Sequence, residues 1–299
     1  MIKIFNRKTK EYEMEKVAGG GLLNALYGTR TGRLGLELLI KRKFYSALTG
    51  AICDSRLSAS KVKSFIRDFE IDMSECADKA EDFKTFNEFF TRRLKPEARV
   101  FQKEGSAVLS PGDGRLKAWE NVNIDQLLQI KGFSYTLKDL IRDEQLAAEY
   151  EGGTYLLLRL CPVDYHRFHF IDGGVCSGSK RINGAYYSVN PIALSSVPLA
   201  FCRNKREYSI LASDNFGDIL YVEVGATSVG SIVQTYSSGA RVQKGDEKGY
   251  FKFGGSTVLV LFKKNKVRIH ADILKQTEAG YETRVLAGEV IGGKMDKDR

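Results

Sequence analysis

KGYFKFGGSTVLVLF, from Lys248 to Phe262, sets two adjacent glycines and a Ser-Thr pair directly before five consecutive apolar residues. Glycines allow backbone angles that other residues avoid, so the stretch reads as a turn feeding a strongly apolar strand. Upstream, Leu220, Val222 and Val224 alternate with Tyr221 and Glu223, the period-two pattern of a half-buried strand over Ile219 to Val224. Similar short runs at Tyr155 to Leu160, Ser231 to Tyr236 and Val267 to Ile273 are separated by Gly-Asp, Lys-Gly-Asp and Gly-Gly steps. From about residue 101 to 299 the chain therefore reads as a mostly antiparallel β domain.

Residues 1–100 read mainly as helices, which makes the whole an α+β chain with a helical N-terminal region packed on the β domain. Val62, Phe65, Ile66 and Phe69 recur at helical spacing, with Ser58 or Ser60 as the N-cap. Thr85 to Glu88, TFNE, has the form of a capping box opening a helix that carries Phe86, Phe89, Phe90 and Leu94 and is closed by Pro96. Leu22 to Leu48 is rich in Leu and basic residues, including KRKFY at Lys41 to Tyr45, but its apolar side chains cover most of a helical circumference. A helix buried in the fold and one docked on a lipid surface both fit that distribution.

The 299 residues, 43% hydrophobic with 17 Phe and 14 Tyr, exclude a disordered or collagen-like chain and suffice for a sizeable core. No apolar run approaches the length of a spanning helix, and charges of both signs in MIKIFNRKTKEYEMEK speak against an export signal. Five widely spaced cysteines with no CxxC suit reduced thiols in a reducing compartment. The net charge is +9, and residues 1–60 hold eleven Lys or Arg against five Asp or Glu. Such a bias invites a polyanion, nucleic acid or an anionic membrane surface.

Three histidines stand in the chain. His166 and His169 fall together in CPVDYHRFHF (Cys161 to Phe170), after a strand; His270 alternates within VRIHADI and reads as structural. A metal pair at His166 and His169 lacks a third ligand at recognisable spacing, so no metal is expected. Asp113 stands in the glycine-flanked turn of SPGDGRL, where Asp is also a common turn former. Asp113, His169 or His166, and Ser256 supply an acid, a base and a nucleophile, although triads are defined by geometry and many proteins hold all three by chance.

In order along the chain, FNEFFTRRLKPEAR (Phe86 to Arg99), SPGDG (Ser110 to Gly114), VDYHRFH (Val163 to His169), YSVNP (Tyr187 to Pro191), VGATSVGSI (Val224 to Ile232) and KGDEKGYFKFGGSTVLVLF (Lys244 to Phe262) resemble the phosphatidylserine decarboxylases. The resemblance covers roughly residues 80–270. It departs at Gly112, where Val is expected, and at Phe170-Ile171, where Pro is common after the histidine. It implies autocatalytic cleavage between Gly255 and Ser256, with Ser256 as nucleophile, His169 as base and Asp113 orienting it. Ser256 then becomes a covalent pyruvoyl group, which forms a Schiff base with the serine headgroup and accepts the electrons released on decarboxylation; His166 is the acid that protonates the product. The implied partners are phosphatidylserine, an anionic membrane surface at the cytoplasmic face of the cell membrane, and the two chains made by cleavage. Nucleic acid is not among them, and a homo-oligomer is left open. A Ser-His-Asp hydrolase would keep Ser256 intact and lacks the GxSxG elbow here, while a lipid-binding protein without activity would need a damaged triad.

Overall fold

The computed structural model describes residues 2–15, 21, 25–27, 29, 43–130, 133–226, 232–254 and 256–295, without the side chains of 43–47, 129 and 130. Gly255, residues 227–231 of the VGATSVGSI stretch and most of Leu22 to Leu48 lie outside it. The apolar run after the glycine pair is the strand Ser256–Phe262, buried at every residue. It lies in the middle of an eleven-stranded sheet, antiparallel to Gly217–Gly225 on one side and to Thr154–Leu160 on the other. Both pairings run its full length, from Ser256 opposite Gly225 and Leu160 to Phe262 opposite Ile219 and Thr154.

Two cores explain the unbroken hydrophobicity of that strand. Side chains alternate across a sheet, so Val258, Val260 and Phe262 enter one core with Leu158, Phe168 and Phe251. Leu259 and Leu261 enter the other with Tyr155, Leu220 and Phe201. Ser256, in phase with Val258, faces the first core. Against that face packs a small sheet of Ile232–Gln234, Glu247–Phe251 and Arg167–His169. The mixed α+β architecture with mostly antiparallel pairing matches the sequence reading.

The opening of the chain does not. Where helix was expected, Ile2–Asn6 and Glu11–Glu15 form a hairpin closed by Lys10 N–H on the Asn6 carbonyl (2.8 Å). Ile2–Asn6 adds to the main sheet in parallel with Glu282–Val285. Its partner lies some 280 residues away, so no local pattern announces it. Helices follow at Lys43–Asp54, Ser60–Phe69 and Phe86–Phe90, around Val62, Phe83, Phe86, Phe89 and Phe90. The Thr85 hydroxyl caps Glu88 N–H (3.1 Å), but the Glu88 carboxylate reaches back to Lys84 N–H, not to Thr85. Ser58 does not cap its own helix; its hydroxyl accepts Phe86 N–H at 2.8 Å, joining the two helices. The helix ends at Phe90, well before Pro96; just beyond it Arg167 Nη2 donates to Thr91 O at 2.7 Å and Arg92 Nη2 to Val163 O at 3.1 Å. Two strands are shorter than expected: Ile232–Gln234 within Ser231 to Tyr236, and Val267–Ile269 within Val267 to Ile273. His270 is not in a strand. It precedes the helix Ala271–Glu278, and its Nδ1 accepts from Arg7 Nη2 at 2.7 Å. All five cysteines are unpaired.

Candidate active site

Asp113 is set by a tight turn. Ser110 Oγ donates to the Gly112 carbonyl at 2.8 Å, and a Cβ at Gly114 would come within 2.6 Å of the Arg159 carbonyl, so the residue after Asp113 must be glycine. The buried carboxylate is gripped by Arg99, Nε to Oδ1 at 2.8 Å and Nη2 to Oδ2 at 2.5 Å, and Oδ1 also accepts Ala287 N–H. The orienting hydrogen bond expected from Asp113 to His169 is therefore replaced. His169 Nδ1 meets the Gly245 carbonyl at 3.0 Å, while its backbone N–H donates to Pro111 O at 2.7 Å. Asp113 acts on the imidazole as a nearby charge and through the shared turn.

A carbonyl can only accept, so His169 carries its proton on Nδ1 and presents the Nε2 lone pair. The same holds for His166, whose Nδ1 donates to the Asp164 carbonyl at 2.9 Å. Burial holds the His166 pKa down to about 3, and burial also lowers that of His169, so both imidazoles are neutral at neutral pH. The His166 ring lies 3.8 Å from that of Phe90, and Phe90 packs on Phe253, three residues before Ser256. Asn87, on the same helix, accepts Phe253 N–H at 2.8 Å.

Buried polar groups are normally satisfied. Ser256 Oγ, His166 Nε2 and His169 Nε2 are among the buried side-chain atoms with no hydrogen-bond partner in the described residues. No hydrogen bond joins Ser256 to either imidazole, but strand pairing links their segments. Leu160, opposite Ser256, leads straight into the loop bearing His166. The histidine strand Arg167–His169 pairs with Glu247–Phe251, which leads to Ser256, and Phe251 N–H donates to the His166 carbonyl at 3.0 Å.

Sequence reasoning missed the supports. Arg99 stands at the end of the quoted FNEFFTRRLKPEAR stretch, yet nothing local links it to Asp113. Arg115 holds the Asp164 carboxylate at 2.5 Å and pairs with Glu15 of the N-terminal hairpin at 2.6 Å. The Asp164 carboxylate in turn accepts Cys161 N–H at 2.7 Å, closing the loop before His166.

A buried, unpartnered serine thus opens the central strand, and the segments paired with that strand and leading into it carry two neutral imidazoles. The family model for phosphatidylserine decarboxylase matches residues 86–293. The chain is 64% identical over 297 residues to a phosphatidylserine decarboxylase proenzyme of Ruminiclostridium cellulolyticum, covering 99% of each. It is 58% identical to one of Clostridium perfringens, covering 98% of this chain and all of that one, and 56% identical to one of Clostridium botulinum strain Langeland with the same coverage. The chain belongs to the phosphatidylserine decarboxylase family. It is a carboxy-lyase that converts phosphatidylserine to phosphatidylethanolamine, using a pyruvoyl group derived from a serine by self-cleavage.

Proposed function

We propose that Ser256 is that serine and that cleavage falls between Gly255 and Ser256. His169 Nε2 takes the hydroxyl proton as Oγ attacks the Gly255 carbonyl, then returns it to the departing nitrogen, turning amide into ester. Removal of the Ser256 α-proton breaks the ester C–O bond on the serine side and frees the Gly255 carboxylate. The dehydroalanine left behind tautomerises and hydrolyses to the pyruvoyl group, releasing ammonia. Asp113, fixed by Arg99, stabilises the imidazolium that forms at His169. The observation that carries this reading is the trio of buried, unpartnered atoms, Ser256 Oγ and the two Nε2 lone pairs.

The pyruvoyl group supplies a carbonyl that accepts the electron pair released as carbon dioxide leaves. His166 serves that later reaction. Being neutral, it first takes a proton at Nε2, from the substrate ammonium, and then delivers it to the carbon that carbon dioxide has left.

The lipid is met at the membrane surface. Leu48, Ile52 and Leu57 are exposed around the helix Lys43–Asp54, and a cavity of about 500 Å³ lined by Ile52, Phe65, Phe86 and Phe253 lies beside the segment leading to Ser256. With the basic N-terminal bias, these features support peripheral attachment to the cytoplasmic face of an anionic membrane. Among the described residues no helix is long and apolar enough to cross a membrane.

Expression of Ser256→Ala and His169→Ala tests the assignment on a denaturing gel. Both should remain single chains; a His169→Ala protein that cleaves at the normal rate would remove His169 from the base position.

A further inference from the structure

A second cavity, of about 750 Å³, is lined by Arg92, Arg99 and Asp113 and by Asp164 and Tyr165 of the loop leading to His166. Its charges are unevenly matched. Asp113 is held by Arg99 and Asp164 by Arg115. Glu289 pairs with Arg7, and Glu70 and Asp72 are exposed to water. Arg92 is only 7% exposed and has no carboxylate partner among the described residues. Its Nη2 donates to the carbonyls of Val163 (3.1 Å) and Asp164 (3.3 Å), its guanidinium lies over the Phe89 ring at 5.1 Å, and its Nη1 has no partner. A buried guanidinium with an unused arm is costly to maintain, and burial already lowers its pKa.

We infer that Arg92 binds the phosphodiester of the phosphatidylserine headgroup, holding it in this cavity while the amine end is placed at the reacting centre; the inference rests on the proposed active site. The Asp164 carbonyl that accepts from Arg92 also accepts from His166 Nδ1, so the arginine and the imidazole share one anchor. A guanidinium matches the paired oxygens of a phosphate. The substrate carboxylate is the poorer candidate on energetic grounds. Its charge disappears in the reaction, and an arginine clamped on it would stabilise the ground state over the transition state. The phosphate charge is unchanged throughout, so holding it strengthens binding without opposing chemistry.

The test compares mature wild-type protein with Arg92→Gln and Arg92→Lys, after intact mass has confirmed cleavage of each. Arg92→Gln should raise KM for phosphatidylserine in detergent micelles by about tenfold or more, with kcat within about threefold. Inhibition by glycerophosphoethanolamine and by glycerophosphoserine should weaken by the same factor, and Arg92→Lys should recover part of the loss. If Arg92→Gln fails to fold or cleave, Arg92→Lys carries the test with a smaller KM rise. Unchanged KM, or a fall in kcat with KM and inhibition intact, would reduce Arg92 to a prop for the His166 loop and overturn the proposal. Weakened inhibition by glycerophosphoserine alone would assign Arg92 to the carboxylate and overturn it too. An uncleaved or inactive wild-type protein would instead overturn the functional reading on which it rests.

Discussion

The different tasks proposed for His166 and His169 can be separated by titration, since burial lowers the pKa of both. His169 has a pKa below its ordinary 6.5 because burial disfavours the cation more than the Gly245 carbonyl and nearby carboxylates favour it. Its basic form therefore persists to lower pH than a free imidazole's. Self-cleavage of refolded precursor should hold its rate to lower pH than a free imidazole would allow; a rate already halved at pH 7 would contradict the assignment. For His166, with a folded value of about 3 against 6.5, the unfolded chain binds the proton more tightly. Its contribution to stability is thus complete above about pH 6.5 and is lost progressively as pH falls toward 3. His166→Phe should flatten part of the acid limb of a stability–pH curve. His166→Ala should still cleave, while carbon dioxide release drops by roughly 100-fold or more. Asp113→Asn should cleave slowly or not at all, since it also leaves Arg99 short of its buried partner.

At the level of elements, the proposed chemistry draws on the loop Cys161 to His166 and the turn at Gly245. The loop is clamped by Arg115 between Asp164 and Glu15, side chains 6%, 8% and 3% exposed. Arg115→Met should cost roughly 3–5 kcal/mol in denaturant unfolding, because the buried Asp164 carboxylate loses its counter-charge and Glu15 keeps only Arg159; a change under about 1 kcal/mol would show that the cluster relaxes or hydrates. Gly245 has φ +87, and a Cβ there would stand 2.6 Å from Phe101 Cγ. Gly245→Ala should displace the carbonyl that orients His169 and slow cleavage more than it lowers the melting temperature. Such dependencies mark how far the sequence could be read. Asp113, His166, His169 and Ser256 were legible because each sits in a short motif of ordered type, and the Ser256–Phe262 strand because its own residues are apolar throughout. Arg99, Arg115 and Glu15 were not, since an ion pair across the fold leaves no local period. The hairpin at Ile2–Asn6 escaped for the same reason, and His270 because VRIHADI alternates like a strand up to the point where Ala271 starts a helix.

For the whole molecule, the proposed cleavage point lies at the start of a strand held on both sides. Once cut, the segment from Ser256 onward would still contribute the central strand, paired over seven residues on both sides, and Glu282–Val285, which joins the N-terminal hairpin to the sheet. Arg7 adds bonds to Asp272, Glu289 and the Val290 carbonyl. The two chains should co-elute in size-exclusion chromatography and separate only in denaturant; dissociation in plain buffer would mean that cleavage reorganises the sheet. Conversion of Ser256 into the cofactor can be read from the intact mass of the purified protein under denaturing conditions. The expected result is a 255-residue chain ending at Gly255 and a 44-residue chain, blocked to N-terminal sequencing and lighter by one ammonia than a chain beginning with serine. An active protein of a single 299-residue mass, or a second chain with a readable N-terminal serine, would contradict it.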